Sequence, residues 1–312
     1  MNVQRRKLVW IISIALVLVL GQTIFMDASA PGKLTIRYFN LELQERDAIL
    51  SVVDHDVKSG DAILITTPEG NHVLVDSGMP HVGPELKSRL EELGVDRLDY
   101  AIATHAHWDH IGGFLTIIGA IEIDQFFQVN VAHNSTNYLT LQDLLDRHKI
   151  DTAFLEAGYT FSIGENIVIE VLNPPAGTVE DGPLTTSQIN NLSLVMRLDY
   201  HDFSMLFTGD IYRHQENELV KEYGPEKLGV RVLDVPHHGE ETSSSFDFID
   251  AVMPEIVIIS RDALASISIF NRYRSYDADV YVTGLNGDIV LETDGKDITV
   301  TIEQEHSSPF LR

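Results

Sequence analysis

The chain has 312 residues, 44% of them hydrophobic, with 22 Lys and Arg against 47 Asp and Glu. That length and apolar share suffice for one enzyme-sized core, while a formal charge of −25 argues against a protein that grips long nucleic acids on a basic face. There is no cysteine, which excludes thiolate metal ligands, a cysteine nucleophile, disulfides and a lipid-modified cysteine.

Residues 1–30 stand apart. Arg5, Arg6 and Lys7 precede an apolar run from Leu8 to Leu20 that continues, less purely, to Phe25, and Ala28-Ser29-Ala30 offers the small residues a signal peptidase reads. Basic start, apolar centre and small-residue end make an export signal, with cleavage expected after Ala30. The alternative is a retained anchor, since residues 8–25 approach the roughly 20 that span a bilayer. In either reading the domain formed by 31–312 works outside the cytoplasm, as a secreted, periplasmic or cell-surface protein. Beyond the export segment Arg272 and Arg274 make only a small local basic pair. This composition counts against tight binding of long nucleic acid and leaves room for a partner no larger than a small phosphoester or a short oligonucleotide.

Past Pro31-Gly32, strands and helices alternate. Leu34–Phe39, Ile49–Val53, Ala62–Thr66 and His72–Asp76 read as strands. Pro84–Leu93 has helical periodicity, with proline inside its start and Gly94 just past its end. The apolar run Tyr100–Thr104 reads as a buried strand, and Thr140–His148 and Ile211–Tyr223 as helices. Phe154, Ile167–Leu172, Leu192–Leu198, Phe203–Phe207, Arg231–Val235 and Ile256–Ser260 carry strand patterns. Val280–Thr283 and Ile289–Glu292, around Asn286-Gly287, read as a terminal hairpin. Pattern alone supports a mixed α and β domain without repeats.

Directly after the Tyr100–Thr104 strand stand His105, His107, Asp109 and His110, four potential metal ligands within six residues, followed by Gly112-Gly113. Imidazole and carboxylate together suit zinc, manganese or iron, whereas calcium and magnesium prefer all-oxygen shells. His105 and His107, two apart on an emerging loop, can converge on one ion, while Asp109 and His110 point toward a second. No Gly-x-Ser-x-Gly elbow or Walker loop is present, so serine-hydrolase and P-loop chemistry lack support.

This cluster resembles the signature loop of the metallo-β-lactamase fold superfamily. Further pieces match in order: Gly60–Ile65, Val73–Gly78, Asn190–Val195, Leu206–Asp210, Val235–Gly239 and Ile258–Ser260. The order is similar to the soluble hydrolase domain of ComEC-type DNA-uptake channel proteins and their stand-alone relatives. The resemblance implies an α/β fold, an αββα sandwich with the site at one sheet edge, and a cofactor of two divalent ions, zinc or manganese. It implies that Asp210 bridges the two ions and that His237 completes the second site. His238 would then lie near substrate or act as a proton donor. Asp76 would orient a ligand histidine through its other ring nitrogen, and Asp61 would support the same floor. Asp109 would ligate the second ion and accept the proton of a metal-activated hydroxide, which attacks phosphorus or a carbonyl carbon.

Two departures from the pattern stand out. No histidine lies between His148 and His201 to supply the usual third imidazole of the first ion; Asn190, Asn191 and Ser193 occupy that neighbourhood. The expected first shell is His105, His107, Asp210 and water, suited to manganese or loosely held zinc. The Gly-His-Pro turn of ComEC-like domains is also replaced, by the segment Phe270–Tyr276. The reading is thus an exported, metal-dependent hydrolase of phosphodiesters. The alternatives are a hydrolase of a lactone, thioester or β-lactam, or a catalytically weak cell-surface binding domain.

Overall fold

A computed structural model of the protein describes residues 32–41, 60–131, 133–178, 182–261 and 264–304. The expected export segment and the expected strand Ile49–Val53 lie outside the described residues. Among those described, no helix is long and apolar enough to cross a membrane.

The chain opens with three strands, β1 (Leu34–Tyr38), β2 (Ile63–Thr66) and β3 (His72–Val75), followed by helix α1 (Gly83–Glu92). Strand β4 (Arg97–Ile102) leads into the short helices α2 (Trp108–Ile111) and α3 (Phe114–Ile117), then β5 (Glu122–Gln128), α4 (Thr136–His148) and β6 (Asp151–Phe154). A second run holds β7 (Thr160–Gly164), β8 (Ile167–Asn173), α5 (Thr186–Asn191), β9 (Val195–Tyr200), β10 (Phe203–Phe207) and α6 (Arg213–Leu228). It continues through β11 (Val232–Asp234), α7 (Phe246–Val252), β12 (Ile256–Ile259), α8 (Ile267–Arg274), β13 (Asp279–Val282) and the single turn α9 (Thr283–Asn286). Strands β14 (Ile289–Thr293) and β15 (Ile298–Ile302) close the described fold.

The strands form two mixed sheets, ordered β15-β14-β1-β2-β3-β4-β5-β6 and β13-β12-β11-β10-β9-β8-β7. Alternation along each strand sorts residues between layers. Ile63 and Ile65 of β2 face the central core, as do Phe203, Met205 and Phe207 of β10 and Ile256 and Ile258 of β12. Their neighbours Ala62 and Leu64 turn outward against Leu86, Leu90, Phe114 and Leu141 of the first helix layer. Leu206, Val257 and Ile259 turn outward against Leu219, Phe248 and Tyr273 of the second. Two sheets between two helix layers are the α/β sandwich that the resemblance implied.

Several elements differ from pattern-based expectation. Helix α4 begins at Thr136, not Thr140, because the Ser135 hydroxyl accepts the Tyr138 N–H at 3.2 Å and caps it one turn earlier. Helix α6 breaks at Gly224 before Pro225 and resumes to Leu228. The expected terminal hairpin does not form. Val280–Val282 pair parallel with β12 in one sheet, whereas Ile289–Thr293 pair with β1 and β15 in the other. The turn α9 therefore carries the chain from one sheet to the other, and the true hairpin is β14–β15.

Candidate metal centre

Strands β3 and β4 run parallel, as do β10, β11 and β12. Their carboxyl ends meet at one end of the sandwich, between the sheets rather than along one edge, which is where open α/β sheets place their sites. Asp76 follows β3, the His105–His110 loop follows β4, Asp210 follows β10, His237 and His238 follow β11, and Ser260 follows β12. Asp61 enters from the start of β2, which runs antiparallel to β3 and so begins at the same end. Gly112 and Gly113 allow the signature loop to press onto its neighbour; a Cβ on Gly113 would stand 2.0 Å from the Ser77 carbonyl oxygen.

Two groups of ligand-type atoms converge on Asp210. One comprises His105, His107 and Asp210. His105 Nε2 lies 3.0 Å from His107 Nδ1 and 3.8 Å from Asp210 Oδ2, and His237 Nε2 borders the same Oδ2 at 3.7 Å. The other comprises Asp61, His110, Asp210 and His238, all buried. Asp210 Oδ1 lies 3.3 Å from His110 Nε2 and 3.4 Å from His238 Nε2, and Asp109 Oδ2 is 3.8 Å from His238 Nε2. The two oxygens of Asp210 thus face different imidazole sets, the arrangement a bridging carboxylate requires.

Four members, His110, His237, His238 and Asp210, are aimed by partners behind them. Asp76 Oδ2 lies 2.7 Å from His110 Nδ1 while its carboxylate accepts the Thr104 N–H at 2.8 Å and the Thr104 hydroxyl at 2.7 Å. His238 Nδ1 lies 2.9 Å from the Ser260 carbonyl oxygen, and His237 Nδ1 lies 2.6 Å from the Thr242 hydroxyl. Ser193 Oγ accepts the Asp210 N–H at 3.1 Å. His237 and His238 are consecutive residues in the left-handed region, with φ of 52° and 53°. That conformation costs on the order of 1–2 kcal/mol for each non-glycine residue, and it brings both rings to Asp210.

The electrostatics describe a centre that holds protons where a cation could stand. Burial pushes the Asp210 carboxyl up, but His110 and His238 outweigh it and hold Asp210 well below the usual carboxylate range. Burial pulls His110 down, yet Asp210 and Asp76 keep it well above the ordinary histidine value. His238 is likewise raised against burial, to about 9, by Asp61 and Asp210. His105 is held well below its ordinary value by burial and by the neighbouring His110. His110 Nε2, His238 Nε2 and Asp210 Oδ1 are buried without a hydrogen-bond partner. Buried polar atoms of that kind call for an ion or water, and imidazole with carboxylate is the donor set of a first-row divalent metal. The residues fit the implied ions.

All of the sequence-selected residues, His105, His107, Asp109, His110, Asp210, His237 and His238, come together here. Of the two adjacent histidines, His238 joins the compact group around His110, and His237 lies on the His105 side of Asp210. Asp61, read as floor support, lies against the Nδ1 edges of two of these rings, 3.7 Å from His110 and 3.2 Å from His238. Thr104 and Ser260 stand inside stretches noted in the sequence, but their orienting roles, like that of Thr242, were not legible there, since isolated hydroxyls and a carbonyl carry no spacing signal. At the place of the usual third histidine, Asn191 Oδ1 accepts the Tyr212 N–H at 2.9 Å, while Asn190 Oδ1 is buried without a hydrogen-bond partner.

Comparison with known proteins agrees with this geometry. The chain is 28% identical over 251 residues to Competence protein ComA of Neisseria gonorrhoeae, covering 78% of this chain and 32% of that protein. It is 30% identical over 222 residues to the uncharacterized protein YcaI of Escherichia coli, covering 70% of this chain and 24% of that protein. The chain therefore spans about a third or less of the length of these relatives. The metallo-beta-lactamase fold protein YhfI of Bacillus subtilis superposes with a TM-score of 0.51 at 13% identity, covering 84% of this chain and 100% of that one. A family model described as the metallo-beta-lactamase superfamily matches residues 55–284, and the chain belongs to that superfamily.

Proposed function

We propose that this protein is an exported hydrolase that uses two divalent ions, zinc or manganese, to cleave phosphodiester bonds in a small phosphoester or a short oligonucleotide. The observation that carries the proposal is the division of Asp210, one oxygen toward His105 and His237 and the other toward His110 and His238. His105, His107, His237 and Asp210 would hold one ion; Asp109, His110, His238 and Asp210 would hold the other, with Asp61 behind the rings, its oxygens 3.7 Å from His110 Nδ1 and 3.2 Å from His238 Nδ1. On this assignment His237 supplies the third imidazole that the sequence pattern lacks, and His238 is a ligand rather than a proton donor. Bound divalent ions supply Lewis acidity, making water nucleophilic near neutral pH and offsetting charge that develops on the electrophile. Asp109, 8% exposed at the edge of the cluster, has a carboxylate placed to take a proton from attacking water and to orient it. The phosphodiester choice draws on the likeness to proteins named for competence and recombination, a weaker warrant than the site itself because one fold hosts many chemistries.

The test pairs metal analysis with turnover in the same preparation of the full-length chain. Near two ions per chain, with metal-dependent hydrolysis of bis(p-nitrophenyl) phosphate, is the expected result. Two ions with turnover of a lactone or thioester alone would move the assignment to a carbonyl substrate. Two ions with no turnover of either class would leave a binding domain.

A further inference from the structure

Beside the His105–His107 group lies a cavity of about 390 Å³ lined by His133, Asn134, Gly182, Pro183 and Leu184. The His133 ring stands edge-on to His107, with centroids 6.4 Å apart, so the cavity adjoins the metal centre. Leu184 packs against the central core and anchors one wall. At this size the cavity sits near the small end of ligand sites, enough for one compact organic group and too small for a duplex.

Hydrogen bonding settles the state of His133. The Ser135 hydroxyl oxygen accepts the Tyr138 N–H in capping α4, so its own proton is available to His133 Nδ1, 2.9 Å away. The Ser135 backbone N–H also donates to Nδ1, at 3.3 Å. A ring nitrogen that accepts carries no hydrogen, so the neutral imidazole bears its proton on Nε2. The residue that starts the helix therefore also selects the tautomer. Nothing else among the described residues hydrogen-bonds to Nε2.

We propose that this cavity is the subsite for the phosphoryl end of the substrate and one compact substituent, with His133 Nε2–H donating to a non-bridging phosphoryl oxygen. The proposal rests on the phosphoester reading above. A neutral donor suits a centre that already holds two cations, because it orients the anion without adding charge. Pro183 and Leu184 supply an apolar wall for the substituent.

The experiment titrates inorganic phosphate into the metal-loaded full-length chain and follows the histidine ring nitrogens by ¹⁵N NMR. The native chain should show His133 as the Nε2–H tautomer and a shift of that signal on phosphate addition. His133→Ala should weaken phosphate about tenfold with ion content unchanged, and His133→Gln, which keeps an N–H near the same place, should restore most of the affinity. Leu184→Glu leaves the His133–Ser135 pair in place and should weaken phosphate by placing a carboxylate in the cavity, which covers the case in which His133 variants fold poorly. Unchanged phosphate affinity in His133→Ala and Leu184→Glu, or loss of an ion in His133→Ala, overturns the subsite. The two proposals fail separately. A native chain whose phosphate binding depends on His133 but which cleaves no phosphodiester sinks the hydrolase and keeps the subsite. Diester turnover with the same KM in the native chain and in His133→Ala does the reverse.

Discussion

His110 Nδ1 lies 2.7 Å from Asp76 Oδ2, and this contact between two buried side chains turns the other ring nitrogen toward Asp210. Asp76 sits at φ +55°, a conformation that asparagine tolerates as well. Asp76→Asn should therefore fold while losing the charge that fixes the His110 ring. Replacing such a partner typically weakens metal binding by about 10–100-fold. Competition with a chromogenic chelator measures it, and unaltered ion retention would remove Asp76 from the orienting role.

The adjacent histidines separate two assignments. With His238 in the Asp61–His110 group, His238→Ala should lower the ion count from two toward one, and His237→Ala should weaken the ion held by His105 and His107. If His237 is instead the second-site ligand and His238 a proton donor, His238→Ala keeps both ions and loses turnover alone. Metal analysis of the two variants, side by side with their kcat, decides between the patterns.

The chelated protein should lose stability as pH rises. His238 has a folded pKa of about 9 against an ordinary value of 6.5, so the folded state holds that proton more tightly. Its contribution is complete below pH 6.5 and disappears as pH climbs through 9. Asp210 acts in the opposite sense: its depressed pKa gives stability that is lost as pH falls toward the acid range. The thermal midpoint in excess chelator should fall between pH 6.5 and 9, and much less so with ions bound, because an ion then replaces the proton. A flat chelated profile would show that His238 is not protonated in the ion-free fold.

Gly60 is the point at which the floor touches the signature loop. Its φ is +76°, and a Cβ there would stand 1.8 Å from the Asp109 carbonyl oxygen. Gly60→Ala should cost about 3 kcal/mol or more, through strain and displaced backbone. It should also reduce ion content, because Asp109 must move. Chemical denaturation and metal analysis together check both effects; a stable variant with both ions would mean that the loop yields without disturbing the centre.

Much of this centre was legible before folding was considered. His105, His107, Asp109 and His110 announce themselves by spacing after an apolar strand, and Asp210 by its Thr208-Gly209 context. Short apolar runs marked β2, β3 and β10, as strands buried on both faces require, and alternation marked the first half of β8, where only one face is covered. Elements held by other means were misread. The start of α4 depends on one hydroxyl bond from Ser135, and the Val280 and Ile289 strands look like a hairpin until their partners in different sheets are known.

What the sequence by itself determined is the class of chemistry: imidazole and carboxylate in a fixed order, no thiol, an acidic domain and an apolar content sufficient for one core. Only the tertiary structure decided how those ligands divide. His237 and His238 are neighbours with identical side chains, and two consecutive left-handed residues send one to each oxygen of Asp210. No local pattern encodes that division, because Asp210 and Asp61 reach the same point from different sheets, and convergence at a distance is a property of packing.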